Sequence, residues 1–109
     1  MNKVKIQSKI NIEDKLMGDK SSAIDALMYA CFNIDDADWI QKQCLDILNR
    51  DVDKEVKNLA ITCLGHVARI HTKINKEKVL PVLRKLLSDP EFSGAAGDAL
   101  DDIDIFTRI

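Results

Sequence analysis

The stretch Val56-Lys57-Asn58-Leu59-Ala60-Ile61-Thr62-Cys63-Leu64-Gly65-His66-Val67-Ala68-Arg69-Ile70-His71-Thr72-Lys73-Ile74 decides the fold. Its apolar residues fall at Val56, Leu59, Ala60, Ile61, Cys63, Leu64, Val67, Ala68, Ile70 and Ile74, a helical and not a strand spacing. At about 100° per residue they cover an arc of more than roughly 200°. A helix lying on a single surface needs a stripe of only about 100°. This helix therefore needs cover from two sides. The remaining strip, Asn58, Thr62, Gly65, Arg69 and Lys73, is expected to face solvent or a partner.

Working outward, a second helix is expected from about Lys76 to Ser88, with Val79, Leu80, Val82, Leu83, Leu86 and Leu87 inward and Asn75 as its N-cap. Pro81 removes an interior hydrogen bond, so this helix either begins near Leu80 or bends at Pro81. Asp89-Pro90 stops it. Upstream, Ser21 or Ser22 can cap a helix running to about Asn33 that buries Ala23, Ile24, Ala26, Leu27, Ala30 and Cys31. Asp35-Asp36-Ala37-Asp38 opens a helix from about Ala37 to Asn49, its carboxylates suiting the positive helix N-terminus. Its inward set is Ala37, Ile40, Cys44, Ile47 and Leu48. Ile10 to Met17 reads as a short helix closed by Gly18. Met1 to Ser8 reads as a frayed end or one edge strand.

These helices repeat. Shifting the chain by 37 residues lays Ala23, Ile24, Ala26 and Leu27 on Ala60, Ile61, Cys63 and Leu64. A shift of 39 lays Ile40, Cys44, Ile47 and Leu48 on Val79, Leu83, Leu86 and Leu87. A third, partial copy at a shift of 36 lays Ala60, Cys63, Leu64 and Val67 on Ala96, Ala99, Leu100 and Ile103. The expected fold is all-α: two helical hairpins with flanking half-repeats, about six helices, in a single domain spanning 1–109.

Composition agrees. With 46% hydrophobic and 31% charged residues among 109, the chain can build one core and is neither disordered nor large enough for two. Only four Gly and two Pro leave little for a turn-rich β fold. No apolar run approaches the roughly 20 residues of a membrane span, and Met1 to Ile10 lacks the apolar run of a secretory signal. A cytoplasmic protein without membrane partners is expected. Cys31, Cys44 and Cys63, an odd number in apolar surroundings, are not a disulfide framework. A net charge of −2 argues against direct nucleic-acid binding.

Asp51-Val52-Asp53-Lys54-Glu55-Val56-Lys57-Asn58-Leu59-Ala60, followed by Leu64-Gly65, resembles the start of a HEAT-type repeat. There a turn with Asp leads into Val-basic-x-x-Ala, and a small residue lets neighbouring helices approach. The resemblance extends over about Ser21 to Phe106 and departs at Gly94-Ala95-Ala96-Gly97-Asp98, which stands where a full hairpin would be. The pattern of Asp38-Trp39, Cys63-Leu64-Gly65-His66 and Ala99-Leu100-Asp101-Asp102-Ile103 is also similar to small stand-alone bacterial HEAT-like proteins. Some of these resemble immunity proteins of contact-dependent inhibition and related polymorphic toxin systems. The resemblance implies a protein that binds a toxin domain and has no catalytic site of its own.

The residues offer little chemistry to set against that. His66 and His71 lie about 140° apart on one helix and cannot share a metal. Cys63 and His66 could, but no second pair at ligand spacing accompanies them, so no metal or cofactor is expected. Cys63 lies on the core arc, where a thiol is inert. No phosphate loop, Gly-x-Ser-x-Gly elbow or His-Glu-x-x-His occurs, and an enzyme is not expected.

Candidate partner-binding residues are of two kinds. Trp39 points about 140° from the centre of its helix's inward arc, beside Gln43, Asp46 and Arg50; it is an interface anchor, or it folds over the preceding loop or packs on the first hairpin. Asp35, Asp36 and Asp38 form one acidic cluster, and Asp98, Asp101, Asp102 and Asp104 a second. Each can simply complement a helix dipole. The second is denser than capping needs: like charges at i, i+3 and i+4 repel by a few tenths of a kcal/mol per pair. These features fit an immunity protein occluding the active site of a basic, nuclease-type toxin domain. The alternative is a HEAT-like adaptor or scaffold that inhibits nothing.

Overall fold

The computed structural model describes residues 8–108. The N-terminal segment read as a frayed end or an edge strand lies outside them, apart from Ser8. Among the described residues the chain is six helices with no strand: α1 Lys9–Leu16, α2 Lys20–Asn33, α3 Ala37–Leu48, α4 Lys54–His71, α5 Lys76–Leu86 and α6 Ser93–Phe106.

Short polar side chains start most of these helices. Ser8, Asp19, Asp36, Asp53 and Asn75 each accept a hydrogen bond from a backbone N–H of the first turn that has no partner inside the helix. The cap of α2 is Asp19, not Ser21 or Ser22; its carboxylate takes the Ser22 N–H at 2.8 Å. Serine and aspartate are equally good caps, and a carboxylate gains from the helix dipole as well. That backbone bond, with the Ser22 hydroxyl, holds the Asp19 carboxyl below the usual carboxylate range. Asn75 caps α5 as the sequence indicates, and α5 keeps Pro81 inside it rather than starting at Leu80. Pro81 is on the exposed side, where water can serve the freed carbonyl. α4 ends earlier than Ile74: Thr72 turns into the left-handed region at φ 54°, unusual for a β-branched residue, and its N–H closes the helix on Ala68 O.

α4 is the centre of the molecule. It packs against α2, α3 and α6, which accounts for its wide apolar arc. Ala60, Ile61, Cys63, Leu64, Val67 and Ala68 are all buried, together with Leu27 from α2, Ile40, Cys44 and Ile47 from α3, and Ala96, Ala99 and Ile103 from α6. Cross-helix contacts advance in step along α2 and α4: Lys20 meets Glu55, Cys63 Sγ meets Leu27 O, Phe32 meets His66, and Asp35 meets His71. Along α4 and α6, Lys54 meets Glu91 just before α6, Gly65 meets Ala99, and Arg69 meets Asp102. The helices α2, α4 and α6 thus run parallel, side by side. The other close helix pairings are α1 with α2, α3 with α4 and α5 with α6, which sets the odd-numbered helices behind this row. The close hairpins are therefore α1 with α2, α3 with α4 and α5 with α6, where the sequence reading paired α2 with α3 and α4 with α5.

Several inward assignments shift at the margins of the core. Ile70 and Leu87 are exposed, and Ile24, Leu48, Leu59, Ile74, Leu80, Val82 and Leu86 are half-buried. Gly65 moves the other way. It belongs to the strip expected to face solvent or a partner, yet it is buried against α6.

Candidate partner interface

The structure disperses the candidate residues over three places. Trp39 is half-buried, packed on one side against the core. Its indole N–H donates to Glu13 Oε2 at 3.1 Å, the Gln43 amide donates to the same oxygen at 3.3 Å, and the Lys9 ammonium sits 5.6 Å from the ring centroid. Arg50 on the same face donates to Leu16 O and lies against Met17 Sδ. The polar side of α3 is therefore the bed on which α1 lies. The contacts on the Trp39 ring come from α1, and the residue stays half-buried.

The first acidic cluster splits by role. Asp36 caps α3 through the Trp39 N–H and pairs with Lys9; the ammonium and the backbone bond hold its carboxyl below the usual range. Asp38 sits exposed in the first turn. Asp35 is fully exposed, 3.7 Å from His71 Nδ1, at the end of α2 and α4.

The second cluster rides on α6. Asp104 pairs with Arg108 at 2.9 Å on the exposed surface. Asp98 and Asp101 are exposed, while Asp102 is half-buried at the α4 junction, 3.9 Å from Arg69. A Cβ placed on Gly65 would lie 3.0 Å from Asp102 Oδ2 and 3.1 Å from Ala99 Cα. Gly65 and Ala99 are where the backbones of α4 and α6 nearly touch, and that contact carries Asp102 beside α4.

Between α2 and α4, on the outer side of the parallel row, lies an apolar cleft of about 150 Å³ that includes Met28, Phe32, Leu59, Cys63 and His66. Phe32 is 62% exposed, Ile70 51% and Met28 44%. The His66 ring meets Phe32 edge-on with centroids 4.6 Å apart, and its Nε2 is buried with no hydrogen-bond partner among the described residues. Burial, and then the nearby Arg69, depress the His66 pKa, so the imidazole is neutral at pH 7. Sequence reasoning missed Met28 and Phe32. The signal was available: both are apolar, four apart, and outside the inward set of α2.

The thiols behave as core. Cys31 and Cys63 touch; that contact and burial push Cys31 up. For Cys63 the contact with Cys31 pulls down, but contact with Cys44 and burial outweigh it. Buried thiols held protonated are poor nucleophiles and ligands. Among the described residues no group of three or more His, Cys, Asp or Glu side chains is placed to hold a metal ion. Nor is any helix among them long and apolar enough to cross a membrane.

No protein-family model and no curated protein matches the chain. Among solved structures it is similar to a chain of the crystal structure of the CDI complex from Cupriavidus taiwanensis LMG 19424, at 27% identity and a TM-score of 0.83. The likeness covers 99% of this chain and 97% of that one, so it takes in the whole six-helix architecture rather than a shared hairpin.

Proposed function

We propose that this chain is the immunity protein of a contact-dependent inhibition system, a cytoplasmic protein that binds a cognate toxin domain and silences it by occluding its active site. The observation that carries the reading is the end-to-end likeness to one chain of a CDI complex. The chain's own chemistry supports the immunity side of such a complex over the toxin side. Its formal net charge is −2, with carboxylates concentrated on α6 and at the start of α3. Its three cysteines are buried. A toxin that cuts nucleic acid needs a basic surface for phosphates, and an acidic inhibitor is attracted to it over long range. The parallel row α2, α4 and α6, whose cross-helix contacts are offset by 33–37 residues, also supports a HEAT-like reading of the helices. In a stack of that kind each helix is held by its neighbours, which gives a rigid surface that needs little ordering on binding.

The test is direct. The purified chain is mixed with the product of the reading frame upstream of its gene, which this proposal takes to be the toxin, and complex formation and toxin activity are followed together. A stable complex in which the toxin is inactive is the expected result. Failure to form a complex contradicts the proposal, and a complex in which the toxin stays active replaces it with the adaptor reading.

A further inference from the structure

We infer that the outer face of α2, α4 and α6 is the docking surface, and that it receives a basic protein face inserting one apolar side chain into the cleft between α2 and α4, against the wall that Phe32 and His66 form together. This rests on the proposed immunity function and adds to it where the toxin sits and what it presents.

Three observations converge on this face. The first is apolar exposure: Met28 and Phe32 line the cleft, and Phe32 also lines the adjoining hollow that holds Ile70 beside His71. A cleft of about 150 Å³ has room for one leucine, methionine or phenylalanine side chain, since an apolar cavity near 150 Å³ takes up benzene. The second is the neutral floor. His66 is desolvated and held edge-on to Phe32, so it adds apolar surface and no positive charge. The third is the charge around it. Asp25 shares the exposed stripe of α2 with Met28 and Phe32 at i, i+3 and i+7. Asp35 closes the end beside His71, and Asp102 stands on the α6 side against Arg69, with Asp98 and Asp101 exposed on the same helix. Arg69 and Lys73 are the cations on this side of α4, and Arg69 is already engaged by Asp102.

An apolar pocket inside a carboxylate rim selects its occupant. Nucleic acid and anionic headgroups meet repulsion there. A second copy docked through the same face would set carboxylates against carboxylates. A protein surface with lysine or arginine around a protruding apolar side chain satisfies both parts: the rim steers it, and the buried anchor holds it. The α1 bed around Trp39 offers no such opening, because its indole and the Gln43 amide are spent on Glu13.

The experiment uses the full chain and the upstream-encoded toxin domain in stopped-flow binding. The double variant Phe32→Ala with Ile70→Ala is expected to dissociate at least about tenfold faster, with association little changed. Asp98→Asn with Asp101→Asn is expected to slow association several-fold at low salt and to match wild type at high salt. Lys42→Ala, on the exposed side of α3, is the control and is expected to behave as wild type. Hydrogen exchange on the wild-type complex provides a readout independent of variants, with new protection expected across residues 25–35 and 59–73. Wild-type binding with unchanged Phe32 and Ile70 kinetics, or with protection confined to α3 and α5, overturns this surface and leaves the immunity function standing. No wild-type binding overturns both.

Discussion

Gly65→Ala puts a methyl group where α4 and α6 meet, and the structure sets the sign of the outcome. In an isolated helix the change stabilises by about 0.8–1 kcal/mol. Here the new Cβ lies 3.1 Å from Ala99 Cα and 3.4 Å from Ala99 Cβ. Carbon atoms rest at about 3.5–4.0 Å, so the backbone contact is short by about 0.4–0.9 Å. Asp102 Oδ2, at 3.0 Å, can swing away at the expense of its Arg69 contact. The Ala99 backbone cannot move without carrying α6 off the core formed by Ala96, Ala99 and Ile103. Overpacking of this kind costs about 1–3 kcal/mol. Set against the propensity gain, the net effect is destabilisation by about 1 kcal/mol, or roughly 4–8 °C in Tm for a domain near 100 residues. Urea unfolding followed by far-UV circular dichroism measures it, with an unchanged m-value showing that the compactness of both end states is preserved. A Gly65→Ala chain stabilised by the full propensity gain would mean that α4 and α6 separate freely, and that the glycine serves no close approach.

Three further outcomes follow from the same structure. Trp39→Ala removes the Glu13 bond and the surface under α1; the expected loss is about 2 kcal/mol, with hydrogen-exchange protection lost in residues 9–16 while α4 keeps its own. Protection of α1 equal to wild type would contradict the bed described for it. A chain ending at Ser88 strips α6 from α4 and exposes Gly65 and Ala68, so it is expected not to melt cooperatively; a melt like that of the full chain would show that α6 is no packed cap. Finally, the folded pKa of His66 lies below its unfolded value near 6.5, from burial and Arg69, opposed by Asp102. Its contribution to stability is complete above about pH 6.5 and is lost as pH falls through the depressed folded value. His66→Phe is expected to flatten the stability profile in that window, and a profile as steep as wild type would show that His66 does not carry the acid loss.

What the sequence carried was what local pattern and periodicity determine. The width of the α4 arc required neighbours on two sides, and α2, α3 and α6 are those neighbours. The cap at Asn75 was legible from a short polar side chain ahead of an apolar helix, and a close approach at Gly65 from a glycine inside a helix, although not that α6 is what approaches. What escaped depends on which helix lies across which. Trp39 points away from the inward arc of α3, but nothing in that helix says that Glu13 reaches over from α1 to take its indole N–H. Ile70 sits at the border of the apolar arc, and only the spacing of α2 from α4 decides that it stays exposed beside Phe32. The acidic residues were all visible as charges, yet their division into cap, ion pair and open rim is a tertiary fact.

The central claim is that this chain protects against a toxin, and survival measures that most directly. Cells are induced to make the upstream-encoded toxin domain with wild-type chain, with the Phe32→Ala and Ile70→Ala double variant, or with neither. Full growth is expected with wild type, weakened protection with the double variant, and death without the chain. Death in the presence of well-expressed, folded wild-type chain would contradict it.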